Sequence, residues 1–134
     1  MSEIKAVLDT NIYLSAILFG GLPERIIDLA RSGTITVYCS DFIIAEIKKI
    51  LKGKFEWDSE RIKITIAEIK SITHRIDTRS ELHIVKEDPS DNNVLSCALD
   101  SGASIIISGD RHLLKLNLYQ GIPILTPRQF MDRI

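Results

Sequence analysis

Three consecutive isoleucines bracketed by serines, Ser104 to Ser108, limit the folding of this chain more than any other stretch. A run without polar residues at alternate positions cannot rest with one face in water. As a strand it has to be covered on both faces, the situation of a central strand in a mainly parallel sheet layered with helices. Other short apolar runs, Ile4 to Leu8, Thr36 to Cys39 and Ile122 to Leu125, also have strand length. Between them lie longer stretches of helical period: Asn11 to Phe19, Pro23 to Ser32, Asp41 to Lys52, Asp58 to Ile72, Asp91 to Ser101 and Pro127 to Met131. Ser40, then Asp58 or Ser59, then Thr126 followed by Pro127 stand where helix starts want them. Residues 75–85 read equally as loop or strand. The alternation predicts an α/β domain with a mainly parallel sheet.

A chain of 134 residues suits one domain, here residues 1–134, and no linker-like tract or internal repeat divides it. Its 45% hydrophobic and 26% charged residues exclude a largely disordered protein. The apolar runs are too short to span a membrane, and "MSEIK" lacks the layout of a secretory signal, so a soluble cytoplasmic protein is expected. A formal net charge of -1 excludes nucleic-acid binding through overall basicity; any such binding has to be local. Cys39 and Cys97 lie in apolar segments without metal-ligand spacing and read as buried free thiols.

The acidic residues are less ordinary. Asp9 in "AVLDTN" and Asp110 in "IIISGDRH" each follow an expected strand, and ligands of open α/β sheets bind beyond the carboxyl ends of the strands. Laid out at helical spacing, "DFIIAEIKKILK" puts Glu46 between Phe42 and Ile50, at the edge of the apolar stripe. Lys48, Lys49 and Lys52 take the opposite face. In "DPSDNNVLSCALDSGA", Asp91 shares a side with Val94, Leu95 and Ala98, while Asp100 points the other way. Singly, each acid has a plain explanation: an ion pair for Glu46, a helix start for Asp91, Ser90 or Asp88. Together, Asp9, Glu46, Asp91 and Asp110 converge on one place. Crowded carboxylates raise one another's pKa unless a cation holds them ionised, and a site with only oxygen donors suits Mg²⁺ or Mn²⁺ rather than zinc. His74, His83 and His112 show no zinc-ligand spacing. A hard ion in such a site can polarise a phosphoryl oxygen and acidify water, as phosphodiester hydrolysis requires.

The segments "VLDTN", "DFIIAEIKKIL", "DPSDNNVLSCAL" and "GASIIISGDRHLL" resemble those of the PIN-domain family of small metal-dependent nucleases, over nearly the whole chain. The resemblance implies a three-layer α/β/α fold and an acidic site of Asp9, Glu46, Asp91 and Asp110, which cleaves RNA with Mg²⁺ or Mn²⁺. It also implies that Asn11 and Ser108 support the site by hydrogen bonding. The compact form, with "SAILFGGLPERIIDLARSG", is most similar to toxin-type ribonucleases of prokaryotic toxin–antitoxin pairs, which usually form homodimers silenced by an antitoxin protein.

Lys48, Lys49 and Lys52 on the outward face, or Arg111, His112 and Lys115 after Asp110, could neutralise backbone phosphates; both groups also read as solvated faces, the first more readily. Two rivals stand beside the ribonuclease. A phosphatase with an aspartyl nucleophile usually has a second acid two residues on, where this chain has Asn11. A PIN-like fold could also serve as an RNA- or protein-binding regulatory module with little or no nuclease activity.

Overall fold

A computed structural model describes residues 3–79, 85 and 89–134. Strands β1 (Ile4–Leu8), β2 (Ile35–Ser40), β3 (His74–Ile76), β4 (Ile105–Ile107), β5 (Leu118–Tyr119) and β6 (Ile122–Leu125) form one sheet in the order β3-β2-β1-β4-β6-β5. All neighbours run parallel except β5 and β6, which pair antiparallel. Strand order runs outward from β1 to β3 and then resumes at β4 on the other side of β1. That reversal opens a crevice at the carboxyl ends of β1 and β4.

Helices α1 (Thr10–Phe19), α2 (Gly21–Arg31), α3 (Asp41–Gly53), α4 (Ser59–Ile72), α5 (Pro89–Ser101), α6 (Arg111–Leu116) and α7 (Pro127–Arg133) fill the connections. With right-handed crossovers, the reversal at β1 assigns α1 to α4 to one face and α5 to the other, giving three layers. Helix α5 packs against β1, β2, β3 and β4, and α2 and α3 pack on β2. The isoleucine run behaves as its composition demands: Ile106 and Ile107 are wholly inaccessible, as are Ala6, Val7 and Leu8 beside them. Burial of one such large side chain contributes about 1.5–3 kcal/mol relative to its exposure.

Local chemistry explains the helix ends. Ser40 Oγ accepts from the Ile43 N–H at 3.3 Å, and Asp58 Oδ1 from the Arg61 N–H at 2.8 Å. Thr126 and Gln129 exchange bonds in a capping box ahead of α7. Between α1 and α2 the chain turns through Gly20 at φ +75°, and a Cβ there would meet Glu24 Oε2 at 3.0 Å. Only glycine takes that turn without strain.

Several elements depart from the sequence reading. Helix α5 begins at Pro89, two residues earlier than expected, because proline is well suited to a first helical turn. Helix α6 was not anticipated; its six residues are too few for a periodic signal. Strand β3 resolves the start of the ambiguous stretch 75–85, whose residues 80–84 lie outside the described residues. Phe42, expected on the apolar stripe of α3, is 58% exposed. The buried stripe is Ile43, Ile44, Ile47 and Leu51, and Glu46 still stands at its edge.

Candidate active site

Sheet register places the first two carboxylates. Leu8 is paired with Ile107, and the Asp9 N–H donates to the Ile107 carbonyl at 3.0 Å, so Asp9 emerges beside Ser108. The Ser108 hydroxyl donates to Asp9 Oδ2, and Ser108 Oγ accepts from the Asp110 N–H at 2.9 Å. One buried serine thereby ties the ends of two strands together. Asp9 also caps α1, its Oδ1 accepting from the Ile12 N–H at 3.2 Å. Asp110 caps α6 in the same manner, its Oδ1 accepting from the His112 N–H at 2.7 Å. Asp9 directly follows β1 and Asp110 lies three residues past the end of β4, and each starts the next helix, so both carboxylates are held by backbone rather than by chance rotamers.

Helices supply the other two. Asp91 lies in the first turn of α5 and is 4% exposed, on the side of Val94, Leu95 and Ala98. Glu46 comes from α3 and is half-buried. Asp9, Glu46, Asp91 and Asp110 all line one small cleft of about 20 Å³, together with Thr10, Asn11, Ser90 and Val94. That volume admits a water or an ion and no organic ligand. Asp100, the acid expected to face away, is exposed, and its Oδ2 accepts from the Arg79 N–H at 2.7 Å.

Burial dominates the electrostatics of Asp9. Desolvation pushes its carboxyl up to about 6 from 3.8, against the lowering effect of the bonds from Ser108, Ile12 and Asn11, and Asp110 raises it further. A cation in the cleft would reverse that tendency. The donor set is all oxygen, which fits Mg²⁺ or Mn²⁺ in chemistry. In position, no three His, Cys, Asp or Glu side chains among the described residues already stand close enough to enclose an ion. Asp88 lies outside the described residues.

The two residues expected to support the site differ. Ser108 makes the bonds described above; Asn11 is exposed on the cleft wall and reaches Asp9 through its backbone N–H. Asn92 was not singled out by sequence reasoning. Its side-chain amide both accepts from the Val85 N–H and donates to the Val85 carbonyl, each at 2.9 Å. This clamp fixes the approach of the chain to the turn that carries Asp91. The hint in sequence was a polar run, Ser90 to Asn93, ahead of the apolar Val94 and Leu95. His74 is exposed and His112 half-buried, while His83 lies outside the described residues. Cys39 and Cys97 are buried free thiols, pushed up by burial to about 11 and about 12. At neutral pH neither is a nucleophile.

Comparison with known proteins agrees with this architecture. An uncharacterized protein of Methanocaldococcus jannaschii, MJ1680, is 30% identical over 145 residues, covering 97% of this chain and 91% of the relative. The structure of VapBC2 from Rickettsia felis, bound to a DNA fragment from their promoter, is similar with a TM-score of 0.65 and 16% identity. That similarity covers 92% of this chain and 98% of the other. PAE2754 from Pyrobaculum aerophilum matches with a TM-score of 0.59 and 12% identity over 98% of this chain and 97% of its own. At such identities the structural likeness speaks for the fold. Residues 5–112 match the family model described as PIN domain, and the chain belongs to the PIN-domain family.

Proposed function

We propose that this chain is a metal-dependent endoribonuclease hydrolysing RNA phosphodiester bonds, with Asp9, Glu46, Asp91 and Asp110 as its metal-holding and catalytic carboxylates. The reading is carried by the meeting of four acids from four separate segments in the lining of one ion-sized cleft. Membership of a family whose domains are generally nucleases supports it.

A bound Mg²⁺ or Mn²⁺ supplies positive charge for the phosphoryl oxygens and makes water acidic enough to attack at neutral pH. The chain's own groups do the rest. Ser108 and the Ile12 N–H hold the two oxygens of Asp9 in fixed directions, and the His112 N–H holds Asp110. Such preorganisation leaves little to rearrange when charge develops at phosphorus. Val94 closes one wall with an apolar surface. Arg111 and Lys115, exposed on α6 next to Asp110, neutralise flanking phosphates. Water oxygen joins phosphorus as the bond to one ribose oxygen breaks, and that oxygen leaves with a proton.

The finer reading is a cytoplasmic toxin that works as a homodimer and is silenced by an antitoxin protein. Its support is the likeness of fold to the VapBC2 structure. Among the described residues no helix is long and apolar enough to cross a membrane. Light scattering at micromolar concentration is expected to give twice the chain mass, and a monomer alone would remove the dimer.

Cleavage of a labelled RNA with Mn²⁺ tests the activity. Chelator or Asp9→Asn should each reduce the rate about 100-fold or more, since even groups that only orient metal ligands carry 10–100-fold effects. Unchanged cleavage in chelator would refute the metal-dependent reading. A second reading, a PIN-fold RNA- or protein-binding module, is favoured by the absence of an ion-enclosing trio among the described residues. It predicts affinity without cleavage under every metal condition.

A further inference from the structure

Away from the cleft, α3 and α4 enclose an open groove of about 430 Å³. Lys48 and Lys52 line it from α3, Lys63 and Lys70 from α4, over a floor that includes Ile62 and Ile66; no acidic residue lines it. All four lysines are exposed. Among the described residues the ion pairs are Arg31–Asp28, Arg31–Glu68 and Arg75–Asp41, so no described carboxylate neutralises these ammonium groups.

Helix chemistry accounts for only part of this arrangement. Lys52 and Lys70 sit in last turns, where a cation complements the helix dipole. Lys48 and Lys63 do not: both lie inside their helices, beyond the terminal turns where the dipole acts. Lys48 and Lys52 are also like charges at i,i+4, which destabilise a helix slightly. In a chain whose net charge is -1, four cations gathered from two helices form a local basic surface. A local surface is what a nearly neutral protein needs in order to hold a polyanion.

We propose that the α3–α4 groove is a binding site for the phosphate backbone of single-stranded RNA, an extended contact for the substrate of the acidic cleft. This deepens the ribonuclease reading and rests on it for the identity of the polyanion. Glu46 and Lys48 project from opposite sides of α3, so cleft and groove are separated by one helix, about 10–12 Å across. A strand that crosses α3 engages both. Lysines without interleaved aromatic rings contact phosphates and not bases, so the groove adds affinity with little sequence preference.

Binding of a fluorescein-labelled single-stranded RNA to the full chain in EDTA, where no cleavage occurs, tests this by polarisation across a salt series. The variant Lys48→Gln/Lys52→Gln/Lys63→Gln/Lys70→Gln should bind at least ~10-fold more weakly. The slope of log affinity against log salt should fall by about 2.8, from ~0.7 per phosphate contact. Lys5→Gln, on the central strand β1 and outside the groove lining, serves as control and should change neither. An unaltered melting temperature establishes that the quadruple variant is folded; if it is not, Lys63→Gln/Lys70→Gln should lower the slope by about 1.4. An unchanged slope, or RNA binding lost equally in Lys5→Gln, overturns the groove site, as does a groove-dependent preference for polyglutamate over RNA. Cleavage by wild type with lysine-independent binding would defeat the groove and leave the nuclease standing; groove-dependent binding without any cleavage would do the reverse.

Discussion

Asp9 joins the fold to the proposed chemistry through one side chain. Its Oδ1 caps α1, its Oδ2 takes the Ser108 hydroxyl, and the residue lines the cleft while only 3% exposed. Asparagine caps helices as well as aspartate does, so Asp9→Asn keeps the cap and removes the buried charge. Burial lifts the folded-state pKa to about 6. As pH rises from about 4, the unfolded chain gives up this proton before the folded one does. Each added unit of pH therefore favours unfolding until about pH 6, beyond which the loss levels off. The total is on the order of 3 kcal/mol, from a rise of about two units. In EDTA, wild type should lose melting temperature relative to Asp9→Asn between pH 4 and 7, with the two converging at the acid end. Parallel profiles would show that Asp9 carries no such cost. Sequence reading found Asp9 because a carboxylate directly after a buried strand is conspicuous. It did not show that the same carboxylate caps α1, since a cap and a ligand look identical in one letter.

At the scale of elements, the distinction between Glu46 and Asp100 rests on which side of a helix each occupies. Glu46 is half-buried at the cleft, whereas Asp100 is exposed and bonded to the Arg79 backbone. In the Mn²⁺-dependent cleavage assay, Glu46→Gln should lose about 100-fold or more and Asp100→Asn less than about twofold. Equal losses would remove the helical-face argument. The long elements were legible because burial on both faces leaves unbroken apolar runs and because Ser40, Asp58 and Thr126 mark helix starts. Phe42 misled the reading of α3, since a large apolar side chain at helical spacing counts toward a stripe whether or not anything covers it. Strand β3 stayed ambiguous with loop and β5 escaped notice for the opposite reason: His74 and Arg75 are exposed, and Leu118–Tyr119 is two residues long. Paired parallel to a neighbour, β3 owes its existence to the sheet and not to its own sequence. The Asn92 clamp joins residues seven apart through a side-chain amide, and no hydrophobic pattern reports such a bond.

For the whole molecule, the central claim is that its acidic cleft works only when a divalent ion offsets the carboxylates gathered there. Four segments far apart in sequence bring acids to the crevice between β1 and β4, where burial lifts the Asp9 carboxyl to about 6 and Asp110 adds to the rise. An ion that binds the folded state alone stabilises it by about 2.7 kcal/mol at 100 times its dissociation constant. For a chain of this size that corresponds to a rise in melting temperature of roughly 10 °C. The most direct measurement is a pair of thermal melts at neutral pH, wild type and Asp9→Asn, each with EDTA and with saturating Mn²⁺. The account predicts that Asp9→Asn melts at or above wild type in EDTA, and that Mn²⁺ raises wild type by roughly 10 °C and the variant by much less. Equal gains from Mn²⁺ in both proteins would contradict it, because Asp9 would then be a helix cap and nothing more.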